Sequence, residues 1–149
     1  MNGADSGIFT GMSLTPSASR PPCPCGHPAA YADCCGAVHA AFAQGHGLTS
    51  ATPEALMRSR YSAFVLDLRD YLLASWHPST RPVTLEAPEP GLKWLGLEVK
   101  RSAQQDDDHG TVEFVARSKL GGRAFRLHET SRFVRDHGAW TYLDGDLKN

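Results

Sequence analysis

All four cysteines of the chain fall within the thirteen residues CPCGHPAAYADCC, as a Cys-x-Cys pair, an eight-residue loop and a vicinal pair. A segment this short buries little apolar surface and needs a cross-link to hold a shape. Cys23, Cys25, Cys34 and Cys35 match the demand of a closed tetrahedral zinc site, and Pro24, Gly26 and Pro28 let the chain reverse so that the second pair returns to the first. Two disulfides are another use of four cysteines, but a reducing cytosol disfavours them and an adjacent pair joined to itself is strained. Redox-active thiols are a third. Two histidines lie near: His27 inside the loop and His39 one helical turn beyond Cys35. Four cysteines, or three with His39, both stand as ligand sets. Either set leaves no open coordination position for water or substrate, so the expected cofactor is structural zinc.

The chain has 149 residues with 15 basic and 16 acidic side chains, a formal net charge of -1. No global field draws it to nucleic acid or to an anionic membrane. No apolar run reaches the roughly 18 residues that a membrane span requires. Residues 1–20 are rich in Gly, Ser and Pro, show no periodicity and read as a disordered N-terminus. They lack the basic and apolar regions of a secretory signal, and Met12 offers a second start. A cytoplasmic location follows as an expectation. Residues 21–47 then form the zinc-binding module and residues 48–149 the main domain.

Thr52-Pro53 is a helix start, with Thr as N-cap and Pro at the first helical position. Met57, Tyr61, Phe64, Leu68, Tyr71, Leu72 and Ser75 recur at steps of three and four, which predicts one long helix ended by His77-Pro78. Arg58 and Arg60 fall on opposite edges of its apolar stripe, where their stems can snorkel. Leu66 and Leu73 lie nearly opposite, which predicts a cover there from Ala37–Phe42 or a second subunit. From Trp94 the period drops to two. Leu95, Leu97 and Val99 share one face, as do Val112, Phe114 and Ala116, then Phe125, Leu127, Glu129, Ser131 and Phe133, with Trp140 and Tyr142 in a last strand. Asp106–Gly110, Gly121-Gly122 and Asp136-His137-Gly138 are the turns between them. The expected class is α+β: an antiparallel meander covered on one face by the helix. Glu129, placed on an apolar face, needs a partner there, and Arg58 and Arg60 are the available cations.

Two stretches carry a family resemblance. CPCGHPAAYADCCG resembles the SEC-C zinc motif of the SecA translocation ATPase tail, with His27 and Pro28 departing from the usual CPCGSG. In that motif the ligands map onto Cys23, Cys25, Cys34 and Cys35. MRSRY within PEALMRSRYSAFVLDLRDYLLASWHPSTRP, together with the distant LHETSRFVRDHGAWTYLDGD, is similar to the YchJ-like (UPF0225) proteins. That resemblance implies an NTF2-like cone, a curved antiparallel sheet with helices packed on it, behind a small zinc knuckle. SEC-C modules elsewhere act as docking elements, so the first functional expectation is an adaptor that engages a protein partner through the knuckle. The second is an enzyme or small-molecule binder using the concave pocket of the cone, with Arg58, Arg60, Tyr61, Trp76 and Glu129 as pocket residues and His77 and His128 as lesser candidates. His128 points to the face opposite Glu129 in an unbroken strand, so the two do not form an acid-base pair. No Ser-His-Asp arrangement or phosphate-cradling glycine loop can be assembled. Because every strong ligand lies within Cys23–Cys35, metal removal is expected to unfold the knuckle alone.

Overall fold

The computed structural model describes residues 20–148. Apart from Arg20, the expected disordered N-terminus lies outside them, as does Met12. A single 3-10 turn at Tyr31–Asp33 leads into α1 (Cys35–Ala43). Two further helices, α2 (Pro53–Leu66) and α3 (Arg69–Ala74), precede four strands: β1 (Lys93–Gln104), β2 (His109–Leu120), β3 (Arg123–Asp136) and β4 (Ala139–Leu147).

The strands form one antiparallel sheet in the order β1-β2-β3-β4, as the alternating pattern predicts. Gly121 and Gly122 take successive left-handed conformations (φ 59° and 81°), which is what a two-residue hairpin loop between β2 and β3 requires. Register shifts at Trp94/Gly96 and Val99/Arg101 in β1, and at Leu143 of β4 opposite Arg132/Phe133, bend the ribbon. The first of these corrects the reading of β1. Trp94 turns inward in place of Leu95, which is left 57% exposed, while Leu97 and Val99 keep the inner face.

The helix starts where its cap requires. Thr52 Oγ1 accepts from the Ala55 N–H at 3.0 Å, and the Pro53 ring sits so close on Gly110 of β2 that a side chain there would overlap it. It does not run on to Ser75. Asp67 adopts the left-handed conformation (φ 57°), and the Leu68 N–H returns to the Ala63 carbonyl at 2.8 Å, a Schellman ending. Leu68 packs against the cluster of Ala63, Tyr71 and Leu72, so apolar contact rewards the bend. The break puts Leu66 and Leu73 on different helices. Leu66 stays exposed, whereas Leu73 is half-buried in a groove shared with Ala40 and Ala43 of α1.

Helix α2 packs on β1, β2 and β4, and the main core joins Leu56, Met57 and Tyr61 to Val112, Phe114, Ala116, Phe133 and Trp140. Cys23, Cys25 and Cys35 belong to that same core. The end of α3 is tied to β4 by the pairs Tyr142 N–H to Ser75 O (2.9 Å) and His77 N–H to Tyr142 O (2.7 Å). This tie brings Trp76 and Tyr142 together over the concave face of the sheet.

Candidate functional site

The Cys-x-Cys turn and the start of α1 bring four thiols together. The sulfurs of Cys23, Cys25, Cys34 and Cys35 all lie within 4.8 Å of one another, with Cys25 Sγ and Cys34 Sγ 3.7 Å apart. Zinc–sulfur bonds of about 2.3 Å place tetrahedral sulfurs about 3.8 Å apart, so the spacing fits a metal of that kind. Their protonation supports the same reading. Hydrogen bonding from Cys35 pulls the Cys25 thiol down to about 4, while burial pushes Cys34 up to about 11, and the hydrogen bond to Cys25 together with burial raises Cys35 strongly. One thiolate is favoured at Cys25, while Cys34 and Cys35 resist ionising. A divalent cation among them would stabilise all as thiolates, the form that binds metal.

His39 is committed elsewhere. Its Nε2 donates to the Ser59 carbonyl at 2.9 Å, which leaves Nδ1 as the acceptor for the Tyr31 hydroxyl at 2.6 Å. Burial lowers its pKa, so the ring stays neutral. Arg58 turns toward the knuckle. Its Nη1 donates to the Cys25 carbonyl at 2.8 Å and its Nε to Glu54 at 2.9 Å, and Glu54 also accepts from Ser102 of β1 at 3.0 Å. Knuckle, helix and sheet are thereby linked through one polar chain, with Cys23 Sγ also 3.7 Å from Ser62 Oγ of α2.

Between α2–α3 and the concave face of the sheet is a cavity of about 320 Å³. Met57, Tyr61, Phe64, Trp94, Phe114 and Phe133 make most of its wall, and Arg60, Glu129, Ser131 and Tyr142 form one polar end. Arg60 is buried, with Nη1 donating to Leu72 O (2.8 Å) and Ser75 Oγ (2.6 Å) and its guanidinium 5.1 Å and 4.8 Å from the ring centres of Trp76 and Tyr142. Burial pulls its pKa down to about 10, which leaves it cationic at neutral pH. Glu129 Oε2 accepts from Ser131 Oγ at 2.6 Å and from the Tyr142 hydroxyl at 3.4 Å. Burial and the Glu129 charge push Tyr142 up to about 12, so the phenol remains a donor. The expected pairing of Glu129 with Arg58 or Arg60 is not formed. Arg58 is drawn to Glu54 and Cys25, and two hydroxyl groups serve the carboxylate instead.

The sequence profile described as "YchJ, middle NTF2-like domain" matches residues 52–145. A UPF0225 protein of Bordetella parapertussis is 57% identical over 133 residues, covering 89% of this chain and 98% of its own. Another, from Methylibium petroleiphilum, is 61% identical over 126 residues, covering 85% and 88%. The chain belongs to the YchJ-like (UPF0225) family. The solution structure of a SEC-C motif protein from Rhodopseudomonas palustris superposes with a TM-score of 0.70 at 33% identity, covering 85% of this chain and 98% of that one. A crystal structure of a SEC-C motif protein from Psychrobacter arcticus gives 0.68 at 28%, covering 85% and 82%. The YchJ-like fold is therefore α+β and NTF2-like, with the cysteine cluster at its N-terminal side.

Of the pocket residues expected for this YchJ-like chain, Arg60, Tyr61, Trp76 and Glu129 line the cavity and Arg58 does not, because its polar partners lie on the knuckle side of α2. His77 caps a turn, its Nδ1 accepting from the Ser79 N–H at 3.1 Å. His128 pairs with Glu113 at 2.8 Å, away from the cavity. Ser131 and Tyr142 complete the polar end, beyond the pocket residues expected from sequence. The alternation that placed Glu129 inward also placed Ser131, but the reach of Tyr142 depends on the α3–β4 tie, which no local pattern announces.

Proposed function

We propose that this protein binds a small molecule in the cavity over the concave face of its sheet, and that Cys23, Cys25, Cys34 and Cys35 hold a structural zinc ion. The observation that carries the reading is the cavity itself. A volume of about 320 Å³ with apolar walls and a few convergent polar groups at one end is the usual make-up of a ligand site. Zinc, when bound, supplies cross-linking rather than reaction chemistry, since four thiolates leave no position for a substrate. Both ring nitrogens of His39 are already used, which supports the all-cysteine set over one that includes His39.

Docking of a protein partner through the knuckle is the other reading, and one observation favours it. His27, Pro28, Ala32 and Asp33 are exposed on its outer side. Three buried thiols, by contrast, face the main core, which supports a role in holding the fold. A nuclear magnetic resonance screen of small apolar compounds against the zinc-loaded full chain separates the two. Binding should move the amides of Phe114, Leu127, Glu129 and Tyr142. A screen in which none of these moves, coupled with lysate capture that Ala32→Arg abolishes, would favour docking and end the cavity reading. A cytoplasmic setting, with reduced thiols available to zinc, is part of this proposal.

A further inference from the structure

Arg60 carries a charge into an apolar wall. It is 5% exposed, and a buried charge ordinarily has a charged partner. Its hydrogen bonds go to a carbonyl and a hydroxyl, and its flat faces meet two aromatic rings, none of them anionic. The carboxylate on the same wall makes no hydrogen bond to it, although its charge is close enough to favour the cation. Glu129 Oε2 takes hydroxyl donors from Ser131 and Tyr142 and rests on Gly145, where a Cβ would overlap the carboxylate. This end of the cavity therefore holds one cation and one carboxylate that are not hydrogen-bonded to each other, and the cation has only neutral hydrogen-bond partners. Toward the rim the wall turns wholly apolar, with Phe64 and Leu127 partly exposed.

We propose that the cavity takes a molecule with an apolar body and a carboxylate head, the head seated on Arg60. The inference rests on the cavity being the ligand site. A guanidinium matches a carboxylate in charge and in planar geometry, and a water-poor surrounding strengthens the contact. The size limits the body. At about 30 Å³ for each water-sized group, 320 Å³ holds on the order of ten non-hydrogen atoms. Phe64, Trp94, Phe114 and Phe133 suit an aromatic body through edge and offset contacts. An ammonium head directed at Glu129 is the rival, because the same cavity wall carries that carboxylate.

Three probes of one shape separate the heads: phenylpropionate, phenylpropylamine and phenylpropanol, each titrated into the zinc-loaded full chain. Tryptophan fluorescence reads binding, since Trp76 and Trp94 line the cavity. The carboxylate should bind tighter than the amine by about tenfold or more, with the Arg60 side-chain resonance shifted. Arg60→Gln should bring the probes to within about twofold of one another. Because Arg60 also holds Leu72 and Ser75, Leu127→Glu is a second variant. That rim position is 39% exposed and accepts a charge, and an anion there should weaken the carboxylate and favour the amine. Equal or tighter binding of the amine or the alcohol to the wild type, or a carboxylate preference unchanged in Leu127→Glu, overturns the inference while leaving the cavity as a ligand site. Failure of all three probes to bind overturns both.

Discussion

His39 shows how a residue four positions from a cysteine can look like a ligand and serve another purpose. Its ring bridges Tyr31 in the knuckle and the Ser59 carbonyl in α2, and packs edge-on against Tyr71 of α3 at 4.9 Å. His39→Leu fills much of the space but strips the Tyr31 hydroxyl of its acceptor and leaves the Ser59 carbonyl with its helical bond alone, which should cost on the order of 1–3 kcal/mol in denaturant unfolding. Zinc content should stay at one ion per chain. A stoichiometric loss of zinc in that variant would restore His39 to the ligand set. Gly145 is a second residue whose importance is invisible in sequence. Its bare Cα is the seat of the Glu129 carboxylate, so Gly145→Ala forces the carboxylate aside in a tight wall. Destabilisation of about 1–3 kcal/mol is expected. Wild-type stability, with the Glu129 resonances unmoved, would mean that the seat is loose.

At the scale of elements, features set by neighbours along the chain can be read from the sequence. The hairpin glycines, the Thr52-Pro53 start and the inward set Val112, Phe114 and Ala116 each rest on neighbours in sequence. The helix break cannot be read that way. Periodicity is continuous through Asp67, no Gly or Pro marks the site, and the bend is rewarded by Leu68 meeting Ala63, Tyr71 and Leu72. The bulge at Trp94/Gly96 evaded the pattern for a related reason, since a period-two reading assumes an unbroken register. If the left-handed residue sets the break, Asp67→Val should cost about 1–2 kcal/mol, whereas Asp67→Gly should be neutral or stabilising. The same order measured in thermal unfolding would support this. Equal effects of Val and Gly would move the cause to the Asp67–Arg69 ion pair.

At the scale of the molecule, the decisive contacts join residues far apart in sequence. Arg58 reaches the Cys25 carbonyl, Ser62 meets Cys23, and Gly26 stands against the Leu97 carbonyl of β1, so the knuckle is built onto α2 and the sheet. A local ligand loop in sequence suggested a module that could unfold alone. The shared core argues for the opposite outcome on metal removal, because Cys23, Cys25 and Cys35 pack with Leu56, Met57 and Tyr61. Structural zinc can supply on the order of 10 kcal/mol of coupled folding energy, comparable with the roughly 5–15 kcal/mol of a whole domain. Losing it should therefore weaken the main domain as well. A chelator at neutral pH should lower the midpoint of the main thermal transition and remove hydrogen-exchange protection at Ser59–Ser62 and Leu97, together with the residues before Gly47. The cavity should loosen with α2, so any ligand affinity should fall in the same titration. If protection is lost only before Gly47, while the main transition and the affinity of the cavity stay unchanged, the thiols hold a local loop and the shared core contributes little to the stability of the whole.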